Sequence, residues 1–144
     1  MSRKLILSTA IAAIVGFASV PAMANSVYIQ QWGWANAAGG HQAGNGNAIG
    51  VYQRGWKNNS VSRQFGNGNV AATGQDGHHN ASDIWQNGNG NAAGVGQFGG
   101  HHTSILTQDG NGNVAAGVQV GNGCEAEVNQ TGSGNVAAFV QTCP

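Results

Sequence analysis

The chain has 144 residues, of which 7% are charged and 25 are glycine, with five cations balancing five anions. A chain this short has no room for several domains, and its few large aliphatic residues exclude a fold held mainly by an oily interior. With charge this sparse no basic patch exists, which disfavours nucleic-acid binding.

At the N-terminus Arg3 and Lys4 precede an apolar run over residues 5–17, too short to span a bilayer comfortably. Ala22, Met23 and Ala24 then supply a small-x-small cleavage site, so residues 1–24 read as a secretory signal peptide. The mature chain is expected to begin near Asn25, with no transmembrane segment. It carries Arg54, Lys57 and Arg63 against Asp76, Asp83, Asp109, Glu125 and Glu127, a net charge of about −2. Residues 25–30 form a short leading segment, and residues 31–144 a repeat domain.

From Gln31 onward a glutamine recurs at every eleventh position: Gln31, Gln42, Gln53, Gln64, Gln75, Gln86, Gln97, Gln108, Gln119, Gln130 and Gln141. Two positions after each of the first ten stands a glycine. Five positions after stands Asn36, Asn47, Asn58, Asn69, Asn80, Asn91, Asn113 or Asn135, with His102 and Cys124 in the two remaining places. Seven positions after, the residue is Ala or Ser except at Ile49. The rung reads Q-x-G-x-x-N-x-[AS]-x-x-x. Gln42, Gln64, Gln86 and Gln108 are each followed by x-G-N-G-N and Gln130 by x-G-S-G-N, so the true unit is a pair of rungs repeated about five times.

Gly and Asn tolerate positive φ and mark turns, and the short stretch between turns predicts a strand. Two strands per pair of rungs return the chain to its starting point. The predicted fold is therefore all-β: a β-solenoid with two strands per coil, stacked at about 4.8 Å, with the cross-β repeat of amyloid. Counting each glutamine as zero, strand alternation turns positions 5, 7, 9 and 11 inward and 6, 8 and 10 outward. The inner set holds the Asn, Ala/Ser and Gln ladders, with Val51, Ile84, Val95, Leu106, Val128 and Phe139 at position 9. All eight charges of the mature chain fall outside it, as burial in so thin a core requires. The outer positions read as an irregular mix such as Val61, Asp83 and Ile105.

Residues in phase should meet. Trp34 and Trp56 share position 3 of rungs one coil apart and are expected to stack on a turn, with Trp32 nearby. His78 and His79 occupy positions 3 and 4 of one rung, and His101 and His102 positions 4 and 5 of the rung one coil on. Zinc or copper could use two or three of these imidazoles, yet no carboxylate beyond Asp76 supports them, and exposed turn histidines are common without a metal. No cofactor or metal is expected. Protonation below about pH 6.5 would make stacked imidazoles repel, a brake on stacking. Cys124 and Cys143 lie on turns of adjacent coils, where one disulfide, two free thiols or pairing between subunits are the alternatives.

Residues 94–99 fit G-x-G-x-x-G, but no helix follows and no acidic residue stands 20 positions on. The G-N-G-N turns lack the Asp of calcium-binding nonapeptide repeats. No Ser, His and Asp form a nucleophilic arrangement, so no enzyme activity is expected.

The rung resembles the curlin repeat of curli subunits, Q-x-G-x-x-N-x-A-x-x-x-Q. Gln64, Gly66, Asn69, Ala71 and Gln75 satisfy it together, as do Gln86, Gly88, Asn91, Ala93 and Gln97. The resemblance runs from Gln31 to Gln141. It implies a β-solenoid subunit exported through the periplasm and an outer-membrane pore, which polymerises with itself and with a partner subunit, major or nucleating, into extracellular amyloid fibres for adhesion and biofilm matrix. At the place before the first Gln of the unit where the major subunit carries Ser, this chain has Asn58, Asn80, His102 and Cys124. The strict spacing of the paired rungs resembles the minor, nucleating subunit. A monomeric solenoid binding a repetitive surface is the alternative of a different class, and the irregular outer positions argue against it.

Overall fold

Every Gly/Asn cluster bends the chain and every stretch between clusters is extended. The structure, a computed structural model, describes residues 24–144. The signal peptide expected over residues 1–24 lies, apart from Ala24, outside the described residues. The strands follow in the order β1 (Ser26–Trp34), β2 (Ala37–Ala43), β3 (Ala48–Trp56), β4 (Asn59–Phe65), β5 (Val70–His78), β6 (Ala81–Asn87), β7 (Ala92–Gly100), β8 (Thr103–Asn111), β9 (Val114–Asn122), β10 (Glu125–Ser133) and β11 (Val136–Cys143). Odd strands form a six-stranded sheet, β1-β3-β5-β7-β9-β11, and even strands a five-stranded one, β2-β4-β6-β8-β10. All pairing is parallel, and each residue faces its counterpart one coil on: Ser26 faces Ala48, Gln75 faces Gln97, and Gln86 faces Gln108. The protein is an all-β solenoid of about five coils.

Two boundaries differ from the sequence reading. Residues 26–30 are the first half of β1, paired with β3, and not a separate leading segment. The strands are longer than expected, because the odd strands and β8 and β10 continue past the glutamine through the position two residues later, a glycine in all of them but β11. Gly55 faces Gly77 within β3 and β5 even though its φ is 109°. The glycine lets the strand bend without leaving the parallel ladder.

In the middle coils positions 5, 7, 9 and 11 are buried throughout: Asn69, Ala71, Thr73 and Gln75 in one rung, Asn80, Ser82, Ile84 and Gln86 in the next. The apolar part of this interior is small, built on Ile49, Val51, Ile84, Val95 and Leu106, with Val128 and Phe139 packed against it. Gly117 leaves a hole at position 9 that the Phe139 ring fills, since a side chain at Gly117 would stand in the ring's place. The charges lie on the outside. Arg63 pairs with Asp83 at 2.6 Å and Arg54 with Asp76 at 3.8 Å, exposed contacts worth about 0–1 kcal/mol each.

The irregular outer mix belongs only to the five-stranded sheet, where Val61, Asp83 and Ile105 all lie. On the six-stranded sheet the outer positions of β5, β7 and β9 are Val70, Ala72 and Gly74, Ala92, Gly94 and Gly96, and Val114, Ala116 and Val118. Over β5, β7 and β9 these positions are uncharged and built of small apolar residues, while Tyr28, Tyr52, Arg54 and Asp76 lie along the same face on β1, β3 and the end of β5.

Among the described residues the interior leaves three hydroxyls without a hydrogen-bond partner, on Ser60, Ser62 and Ser104. An unpartnered buried hydroxyl costs about 1–3 kcal/mol. Ser62→Ala, which removes one oxygen and almost no volume, is therefore expected to raise stability by about 1 kcal/mol. A denaturant midpoint lower than that of the parent chain would contradict this.

Candidate assembly site

The eleven glutamines stand in two columns, one per sheet. Along the odd column Gln31 donates to Gln53 (2.6 Å), Gln53 to Gln75 (2.7 Å), Gln75 to Gln97 (2.8 Å), Gln97 to Gln119 (2.9 Å) and Gln119 to Gln141 (2.9 Å). Along the even column Gln42 donates to Gln64 (2.9 Å), and Gln64, Gln86 and Gln108 each donate to the next at 2.8 Å, ending at Gln130. The second amide proton goes across the core to a backbone carbonyl of the opposite sheet, as from Gln86 to Val70 O (3.0 Å) and Gln97 to Ala81 O (2.9 Å). That carbonyl fixes which amide atom is nitrogen. The ladder therefore has a direction, with every Nε2 pointing toward the C-terminal end.

The asparagines close the turns. Asn69 Nδ2 donates to Phe65 O four residues back and to Gly88 O in the next coil, and its Oδ1 accepts the backbone N–H of Asn91. Asn47, Asn58 and Asn91 repeat this set of contacts, and Asn80 and Asn113 keep two of its three. At the ends, Asn36 donates to Gly55 O and Asn135 to Thr131 O. Asn25 holds the same slot one rung earlier, accepting from Asn47 N. No glutamine of the period marks that rung, so the sequence reading passed over it.

His102 occupies the asparagine slot, fully buried. Its Nε2 lies 3.2 Å from Phe98 O, which requires Nε2–H as donor, and its Nδ1 accepts the Cys124 backbone N–H at 3.1 Å. The imidazole thus reproduces the amide's donor and acceptor. It is spent on the turn and stands apart from the other histidines. Cys124 fills the next slot of this column and is joined by a disulfide to Cys143, with Cα atoms 5.6 Å apart. Cys143 stands where the preceding coils have glycine. This bond closes a loop across the last coil with a sequence separation of 19, for which about 3 kcal/mol of stabilisation is typical. Cys143→Ser is expected to make β11 sensitive to protease while β3–β8 stay protected. Equal protection of β11 in both proteins would refute the role.

On the same edge Trp34 stacks on Trp56 (5.4 Å, 10°) and Trp56 on His78 (5.1 Å, 10°), with the Lys57 ammonium 5.6 Å from the Trp56 ring. His78, His79 and His101 gather beside them.

At both ends of the stack the ladders stop. Among the described residues no group donates to Oε1 of Gln31 or Gln42, and at the other end Gln130 and Gln141 each have one amide proton engaged, on Val114 O and Glu125 O. The edges of β1 and β2, and of β10 and β11, carry backbone groups without a strand partner on one side.

A two-stranded parallel solenoid with amide ladders inside and open polar edges at both ends defines a repeat protein suited to stacking on its own kind. The family model of the curlin associated repeat matches residues 80–110, so the chain carries a curlin repeat. The matched stretch holds one full coil, and the other coils repeat its pattern. This family is structural and not enzymatic. No curated protein matches the chain.

Proposed function

We propose that the protein is a secreted subunit that polymerises end to end into extracellular, curli-like amyloid fibres serving adhesion and biofilm matrix. The observation that carries this reading is the polarity of the ladders. One end offers amide acceptors, Gln31 and Gln42, and the other offers amide donors, Gln130 and Gln141. A second copy added head to tail and in register supplies each donor with an acceptor, continues both sheets and regenerates the same pair of ends. Like ends do not match. A one-residue slip would turn the glutamines and asparagines outward, so register is set along with direction.

An odd number of strands has a consequence for the fibre. If the next copy continues the rung beat, its Gln31 follows Gln130 in the even column and its Gln42 follows Gln141 in the odd one. Successive copies then exchange sheets, and the apolar six-stranded face alternates from side to side along the fibre. Export through the periplasm and an outer-membrane pore, and work beside a major or nucleating partner subunit, follow from the same reading.

The test is seeded growth of the mature chain followed by thioflavin fluorescence. A lag phase that preformed fibres abolish, with growth from one end faster than from the other, is expected. A folded monomer that persists at high concentration with seeds present would overturn the proposal. The surface-binding alternative has one observation in its favour: the apolar part of the six-stranded sheet's outer face, with a shallow groove along Gly74, Gly96 and Val118. Such a monomer binding a repetitive ligand without forming fibres would replace the first reading.

A further inference from the structure

At position 4 every turn takes a left-handed φ, and six turns place glycine there: Gly46, Gly68, Gly90, Gly112, Gly123 and Gly134, at 64–71°. Ala35, Lys57, His79 and His101 hold side chains in the same conformation, at 56–57°. Left-handed geometry disfavours a side chain by about 1–2 kcal/mol per residue, so turn formation alone selects glycine. Something other than the turn retains the two imidazoles.

They face each other across one coil step. The His79 and His101 rings stack at 4.9 Å and 5°, and His78 stands edge-on to both, at 5.6 and 5.2 Å. One ring nitrogen from each lies within 4.8 Å of the other two. His79 Nδ1 is buried and has no hydrogen-bond partner. His101 Nδ1 lies 3.1 Å from Asn122 Oδ1, an acceptor, so it carries the proton and Nε2 is left bare. A histidine anchored through one nitrogen in this way presents the other as a ligand. Gly100 follows His78 in its column, and a Cβ there would come within 2.7 Å of the imidazole, so the ring uses space that only glycine leaves.

We propose that His78, His79 and His101 form a binding site for a divalent first-row transition cation, Cu²⁺ more tightly than Zn²⁺, which clamps the turn after β5 to the turn after β7. The donor set is imidazole alone, which suits copper and zinc and does not suit calcium or magnesium. Partial burial, then the nearby His101, Lys57 and His78, hold the His79 imidazole below its ordinary titration range, which keeps it neutral as a ligand must be. Nothing in this site touches the ladder ends, so it stands whether or not the chain forms fibres.

The test uses the full mature chain, with CuCl₂ and ZnCl₂ as probes. Calorimetry is expected to give one ion per chain, Cu²⁺ to show nitrogen hyperfine coupling by EPR, and Trp56, stacked on His78, to be quenched by Cu²⁺. His79→Gly and His101→Gly install the residue that most other turns use, so these variants keep the fold and are as stable as the parent chain or more so without metal. Each is expected to lose at least tenfold in affinity, and the double variant all nitrogen coupling, while His41→Ala binds as the parent does. Unchanged affinity in the double variant, or oxygen coordination alone by EPR, would overturn the proposal.

Discussion

Gly88→Ala is expected to open the stack between β6 and β8 and to abolish seeded growth, whereas Gly90→Ala, two positions away, should leave a folded protein. The difference lies in where each Cβ would go. Gly88 has φ of 118°, outside even the left-handed region that alanine tolerates, and its added Cβ would run into the carbonyl oxygen of Gly110 in the next coil. That oxygen accepts from Asn91 Nδ2 at 2.8 Å, so pushing it aside also breaks the turn lock. Backbone strain, steric overlap and a lost buried hydrogen bond together come to about 5 kcal/mol. Gly90 sits at φ 67° with open space around its Cβ direction, and only the left-handed preference is lost there, about 1–2 kcal/mol. Circular dichroism and denaturant midpoints of the two variants, measured side by side, decide the point. Equal midpoints would mean that the glycine column is not packed against itself.

This column shows what the sequence could say and what it could not. The period alone identified the glycine two positions after each glutamine as a turn signal, and strand alternation assigned Asn69, Ala71, Thr73 and Gln75 to the interior, where they are buried. Both follow from local rules: glycine where φ is positive, and alternate residues on alternate faces. That each glycine also lies under the carbonyl of the next is a property of stacked coils and has no signature in one rung. His102 is a similar case. As a break in the asparagine pattern it looked like part of a histidine cluster, and only the contacts to Phe98 O and Cys124 N reveal an amide substitute. The apolar face of the six-stranded sheet was legible but hidden by the choice of period. Averaged over single rungs positions 6, 8 and 10 look mixed, and sorted over pairs of rungs they separate into an uncharged set on the six-stranded sheet and one carrying Arg63, Asp83, Glu125 and Glu127. The gathering of His78, His79 and His101 followed from phase, but the buried unpartnered nitrogen of His79 and the anchoring of His101 did not.

Gln86→Leu tests whether the ladder holds the stack or only decorates it. Leucine fills nearly the same volume, so little cavity forms and the change is mainly one of hydrogen bonding. Gln86 accepts from Gln64 at 2.8 Å, donates to Gln108 at 2.8 Å and to Val70 O at 3.0 Å, and is fully buried. Its replacement leaves one amide proton of Gln64 and the Oε1 of Gln108 without partners inside the core, where each costs about 1–3 kcal/mol. The tie between the sheets at Val70 is lost as well. A loss of about 2–6 kcal/mol is expected, against well under half that for Gln141→Leu, where the column already ends and the residue is only half-buried. The consequence for assembly follows from direction. An interrupted even column still presents Gln130 as donor at one end and Gln42 as acceptor at the other, so Gln86→Leu should slow folding into the competent stack while leaving elongation from preformed seeds measurable. Gln130→Leu removes an end donor directly and orphans one group, the Gln108 amide proton, where Gln86→Leu orphans two, so it should cost less in folding than Gln86→Leu and elongate poorly. If both variants fold and elongate like the parent, backbone pairing alone carries the stack, and the glutamine period has some other cause.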